Sequence, residues 1–92
     1  MVWWQTQYSI VMKIKIFNLC QDINDKELER MFRPFGVVNS AIVNRNALNG
    51  RSNCNGVVEM PLENQAEQAI VGLDRTKVNG KVISVTKFES TD

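Results

Sequence analysis

Apolar and polar residues alternate along Lys13–Leu19, with Ile14 and Ile16 on one side and Lys13, Lys15 and Phe17 on the other. That period of two predicts a half-buried strand. The spacing then changes to helical, with an apolar stripe of Leu28, Met31, Phe32 and Phe35. Asn24 stands at the expected N-cap, with Glu27 placed to complete a capping box and Asp25 in the first turn, on the favourable side of the helix dipole. Pro34 and Gly36 end this helix. Val38–Asn44 predicts a second strand with Val38 inward. Its next inward positions are Ser40 and Ile42, or Ala41 and Val43 if the strand carries a bulge, and the local pattern leaves both open.

Residues 46–53 are polar and contain the turn signal Asn49-Gly50, which predicts a loop. Asn55–Met60, closed by Pro61, predicts a central strand around which the rest is arranged. Gly56, Val58 and Met60 fall on its core side and Asn55, Val57 and Glu59 on the other. A second helix is expected from Leu62 or Glu63 to Leu73, packing through Ala66, Ala69, Ile70 and Leu73. Asp74–Lys77 is a short connection and Asn79-Gly80 a turn. Val82–Phe88 is the last strand, with Ile83 and Val85 inward and Val82, Ser84 and Thr86 outward. The order is β-α-β-β-α-β. It predicts an α+β, ferredoxin-like sandwich: a four-stranded antiparallel sheet with both helices on one face and the other face open.

Length and charge narrow the function. The chain has 92 residues, enough for one modest core, and a formal net charge of +1. Contact with nucleic acid must then come from local placement of charge, with weak long-range steering. There is no histidine, and Cys20 and Cys54 sit in polar loop-like contexts without metal-ligand spacing, so neither a metal nor another cofactor is expected. An enzyme is not expected either. The cysteines have no partner to activate them, Asp22, Asp25 and Glu27 fit loop and cap roles, and Asn49-Gly50-Arg51-Ser52 is a turn rather than a phosphate loop. No apolar run approaches membrane-spanning length, and a soluble, cytoplasmic protein is the expectation.

Met1–Val11 forms an expected N-terminal extension, apolar and carrying Trp3, Trp4 and Tyr8 without a charged residue. It reads either as a tail, in a chain that would be complete from Met12, or as an arm that packs its tryptophans on an apolar surface of the same or another copy. The expected domain is then 12–88, with Glu89–Asp92 a free end.

Several segments together resemble the RNA-recognition-motif family, in particular its small single-domain bacterial members. Ile14-Lys15-Ile16-Phe17-Asn18-Leu19 falls at the family's hexamer and Asn53–Met60 at its octamer. Leu28–Phe32 with Phe35-Gly36 is similar to its first helix, Ala66–Leu73 to its second, and Val78–Val85 to its end. The resemblance implies Gly36, Val38, Ala41 and Val43 as inward positions, which leaves Ile42 and Asn44 outward. It also implies binding of single-stranded RNA on the open face, where members stack bases on aromatic side chains. The match departs at those aromatics: Lys15, Asn55 and Val57 stand in their places, and Phe17 stands where glycine is usual. At roughly 1–3 kcal/mol per stacked base, losing two stacks lowers affinity by about 100-fold. The residues then expected to meet RNA are Lys13, Lys15, Phe17, Asn44, Arg51, Asn55, Val57, Ser84, Thr86, Lys87 and Phe88. The alternative is a protein-interaction or self-associating module, a homodimer included, built on Ile42, Val57 and the arm with Trp3, Trp4 and Tyr8.

Overall fold

A computed structural model describes residues 12–88. The expectations for Met1–Val11, with Trp3, Trp4 and Tyr8, and for Glu89–Asp92 lie outside the described residues. The elements run β1 (Met12–Phe17), α1 (Asp25–Phe32) with a 3-10 turn (Arg33–Phe35), β2 (Ser40–Arg45), β3 (Ser52–Met60), α2 (Glu63–Leu73), β4 (Lys77–Val78), β5 (Lys81–Val82) and β6 (Ser84–Phe88). β2, β3, β1 and β6 form, in that spatial order, a four-stranded antiparallel sheet. This is the expected ferredoxin-like α+β fold. Among the described residues no helix is long and apolar enough to cross a membrane.

The core lies between the sheet and the helices. Ile14 and Ile16 of β1, Val43 of β2, Val58 and Met60 of β3 and Val85 of β6 meet Leu28 and Phe32 of α1 and Ala66 and Ala69 of α2, all buried. Val43 is buried while Ile42 is exposed, which decides the phase of β2 that the local pattern left open. At Gly56 α1 sits tight against the sheet: a Cβ there would lie 2.9 Å from both the Ile42 carbonyl oxygen and Leu28 Cδ2. Only a residue without a side chain lets the helix sit so low.

Local chemistry sets the element ends. The capping box forms as expected, with the Asn24 side chain accepting from the Glu27 amide at 2.8 Å and Glu27 returning to the Asn24 amide at 3.4 Å. After Pro34, Gly36 adopts φ +154°, and the Gln65 carboxamide fills the space where its Cβ would stand. From there Gln65 accepts from the Val37 amide at 2.9 Å, tying α2 to the exit of α1.

β2 starts at Ser40 rather than Val38, and three further features differ from expectation. β3 begins at Ser52, so Ser52 and Asn53 belong to the strand rather than the loop. The hairpin tip is tighter than its polarity suggests: Asn46 donates to the Arg51 carbonyl at 2.8 Å, and its side chain accepts from Leu48 at 2.8 Å. Second, β3 is bulged. The register steps from Val43 opposite Gly56 to Arg45 opposite Ser52, and Cys54 takes φ +65°. Third, the connection before the last strand is itself a small hairpin of β4 and β5, turned by Asn79 (φ 51°) and Gly80 (φ 87°) as a type I′ turn requires. Ile83 is buried as expected but separates β5 from β6, because its backbone bonds to Arg75 (2.8 Å) and Thr76 (2.9 Å) rather than to the sheet.

Each outer strand of the sheet is also held by a carboxylate. Asp25 at the start of α1 accepts from the Val43 amide of β2 at 2.8 Å, and Asp74 after α2 accepts from the Val85 amide of β6 at 2.9 Å. These bonds occupy amides that an edge strand would otherwise offer to another strand.

Candidate nucleic-acid interface

Strand register sorts the open face into three rows that run across the sheet. The first holds Ser40, Glu59, Lys13 and Phe88. The second holds Ile42, Val57, Lys15 and Thr86. The third holds Asn44, Asn55, Phe17 and Ser84. Side chains on one face recur every two residues, so the rows stand about 7 Å apart along the strands.

The rows differ in chemistry. In the first, Lys13 lies between the Glu59 carboxylate and Phe88, so a cation and an anion share the row. In the second, Ile42 is 55% exposed directly opposite Val57, a small apolar patch at the β2 edge. Lys15 does not stand free above it. Its Nζ lies 4.4 Å from the centre of the Phe88 ring, a cation–π contact that reaches back to the first row. In the third row the Asn44 amide donates to the Asn55 Oδ1, and Asn55 donates to the Asn53 carbonyl at 3.2 Å. Phe17 is 42% exposed beside them.

The bulge shapes this third row. The Leu19 amide donates to the Cys54 carbonyl at 2.9 Å, and the Cys54 amide donates to the Ser52 hydroxyl at 3.0 Å. Together they hold the left-handed turn of the chain that brings Asn55 level with Phe17. Asn18, also left-handed at φ 65°, reaches the Val82 carbonyl at 2.7 Å and fixes the other side of Phe17.

The expected contact residues therefore divide. Lys13, Lys15, Phe17, Asn44, Asn55, Val57, Ser84, Thr86 and Phe88 share the open face, with Ile42 and Glu59. Arg51 lies off the face, in the loop between β2 and β3 at the third-row end. Lys87 lies opposite the inward Ile14, so it projects to the helix side of β6. Strand alternation alone gives that side once Val85 is known to be inward. The Lys15–Phe88 contact had no such local signal, because it depends on the pairing of β1 with β6.

The family model for the RNA recognition motif matches residues 14–84. The chain belongs to the RNA-recognition-motif family. Among curated relatives of this family, "RNA-binding protein CP31B, chloroplastic" of Arabidopsis thaliana is 35% identical over 82 residues, 89% of this chain and 28% of that protein. "28 kDa ribonucleoprotein, chloroplastic" of Nicotiana sylvestris is 36% identical over 77 residues, 84% of this chain and 28% of that protein. The chain thus spans little more than a quarter of the length of either relative. Among solved structures, "RNA Binding Protein PG1" superposes with a TM-score of 0.83 at 31% identity, covering 88% of this chain and 98% of that one. The "Sxl-lethal protein/RNA complex" gives 0.83 at 25% identity, covering 90% and 50%. The expected kinship with bacterial members and the cytoplasmic location find no support in the two curated relatives, which are named as chloroplastic and come from plants.

Within the motif some octamer positions set the backbone and others face out of the sheet. Cys54 occupies the position at which the family has glycine, and it keeps a left-handed φ of 65°. Gly56 keeps the close approach to α1. Asn55, Val57 and Lys15 occupy the three positions of the usual ring platform.

Proposed function

We propose that the open face binds single-stranded RNA, weakly and in a non-standard geometry because the platform rings are absent. The observation that carries this reading is the central strand β1, which sets Lys13, Lys15 and Phe17 in successive rows of an open sheet. That strand offers two cations for phosphates and one uncovered ring for a base, and the amides of Asn55 and then Asn44 lie to one side of the ring. Family membership and relatives named as RNA-binding support the same reading. Residues 12–88 are the RNA-binding unit in this proposal, Met1–Val11 an extension and Glu89–Asp92 a tail.

A proton–nitrogen correlation titration of the full chain with a pool of short random RNAs at low salt tests it. Shifts clustered on Lys15, Phe17, Asn55 and Thr86 are expected. No response near about 100 μM, the weak end of ordinary non-specific binding, would sink the proposal.

The exposed Ile42 beside Val57 favours a second reading, in which the fold serves as a protein-interaction or self-associating module through this patch or the N-terminal extension. Sedimentation of the full chain and of one starting at Met12 separates the two readings of that extension. Identical monomers would remove the dimer.

A further inference from the structure

The three rows are not equivalent to a ligand, and their differences point to one place for a base. The first row carries the Glu59 carboxylate next to Lys13, and its ring, Phe88, is already covered by the Lys15 ammonium at 4.4 Å. The second row has no ring, only Ile42, Val57, Lys15 and Thr86. The third row has no charge, an uncovered ring in Phe17, the coupled amides of Asn44 and Asn55, and the Ser84 hydroxyl on the far side. It also ends where the loop bearing Arg51 leaves the sheet.

The amides are held in a definite sense. Asn55 accepts from Asn44 through Oδ1 and donates to the Asn53 carbonyl at 3.2 Å, so its orientation is fixed from both ends. Asn44 keeps its own Oδ1 as an acceptor and one N–H as a donor for a ligand, on the exposed edge strand. Such a fork takes a base edge that presents a donor beside an acceptor. Adenine is the purine that presents this pair on both its Watson–Crick and its Hoogsteen edges, and asparagine pairs with it in that bidentate way. A purine also covers more of a phenylalanine ring than a pyrimidine does, which strengthens the stack.

We infer that the third row is a one-base subsite for adenine in single-stranded RNA, with Phe17 as the stacking ring and Asn44, oriented by Asn55, as the edge reader. This subsite rests on the RNA-binding reading proposed above. It differs from the usual platform of the family in taking its ring from Phe17, two residues beyond the platform position Lys15 on β1, while the platform position Asn55 of β3 supplies an amide. The neighbouring phosphate falls toward Lys15, which leaves the Phe88 ring to reach it.

The test measures binding of oligoadenylate, oligouridylate and oligocytidylate of equal length by anisotropy, with the sheet amides followed by correlation NMR. Full-length wild type is compared with Phe17→Ala, Phe17→Tyr and Asn44→Ala. Phe17 is exposed, so its replacement leaves the core intact, and dispersed spectra check this. Oligoadenylate should bind tightest to the wild type. Phe17→Ala should lower that affinity about tenfold or more, as expected for a lost stack, and Phe17→Tyr should keep it. Asn44→Ala should bring the three affinities together. If sheet amides still respond to RNA but Phe17→Ala changes affinity by less than about twofold, the subsite is overturned while RNA binding stands. A wild type preferring a pyrimidine overturns it equally. Sheet amides that respond to none of the three RNAs overturn both the subsite and the reading beneath it.

Discussion

Asp25→Ala is the substitution whose effect the structure fixes most closely. The Asp25 carboxylate does two things at once. It sits in the first turn of α1, where a negative charge is stabilised by the helix dipole, by about 0.3–1 kcal/mol. It also accepts the Val43 amide of the outer strand β2 at 2.8 Å in a part-buried setting. A hydrogen bond to a charged acceptor contributes roughly 1.5–3 kcal/mol, and truncation leaves the Val43 N–H without that partner beside a buried side chain. Alanine returns about 0.5 kcal/mol through its better helix propensity. The net loss is about 2 kcal/mol, which for a domain of this size lowers Tm by roughly 10 °C. Urea titration followed by far-UV circular dichroism measures it, with an unchanged slope showing that the folded and unfolded states are comparable. Asp25→Asn keeps an acceptor and loses the charge, so it should fall between wild type and Asp25→Ala. Asp22→Ala, exposed in the preceding loop, should stay within about 0.5 kcal/mol of wild type. If Asp25→Ala proves as mild as Asp22→Ala, the carboxylate does not hold β2 and the reasoning fails.

Lys15→Glu should weaken RNA binding at every salt concentration and flatten the log–log salt dependence by about one unit for the phosphate contact removed; anisotropy across a potassium chloride series reads both, and an unchanged slope would take Lys15 off the phosphate. Cys54→Gly should stabilise the fold by about 0.5–1 kcal/mol, because glycine adopts a φ of 65° without the strain of a β-carbon and gives back only part of this in unfolded-chain entropy. The same urea titration checks it. A loss of stability would mean that the packing of the half-buried thiol outweighs the strain.

The features legible in the sequence were those set by neighbours a few residues away. Ile14 and Ile16 declare an inward face through alternation, Leu28 and Phe32 a helix stripe, Asn24 and Glu27 a capping box, and Asn79-Gly80 a turn, and each stands as expected. The phase of β2 was not legible locally, because Ser40 and Ile42 alternate as well as Ala41 and Val43 do. The resemblance to the family chose the second pair, and the buried Val43 bears it out. Residues 52 and 53 read as loop because they are polar, yet they extend β3: Ser52 is buried with its hydroxyl accepting from the Cys54 amide, a pairing that polarity alone does not announce. In the sequence Asp25 declares itself only as a first-turn charge. Its bond to Val43 spans 18 positions and depends on where α1 lands against β2. Lys87 looks like a phosphate contact by its charge, but its place opposite Ile14 sets it on the helix side.

The hexamer and octamer positions fall into two kinds, and the division bears on what the face can do. Some of them set the backbone. Cys54 holds the left-handed φ, and Gly56 keeps the room that Leu28 of α1 needs. Positions whose side chains point away from the core changed freely: Lys15, Asn55 and Val57. Requirements of folding therefore explain the first set without any ligand, and the ligand question rests wholly on the second. There the rings were not simply lost. Phe17 and Phe88 stand in the third and first rows, about 13 Å apart along the strand direction, with Lys15 in the row between. Rings so separated cannot hold stacked neighbouring bases on one continuous platform. Because Lys15 already covers Phe88, the free face offers one ring at a time. On the RNA-binding reading proposed above, Phe88 adds a stack of roughly 1–3 kcal/mol once a phosphate draws the lysine away. The charge on Lys15 and the exposure of Phe88 are thus coupled, and a short RNA that reaches both should gain more than the sum of two RNAs that each reach one.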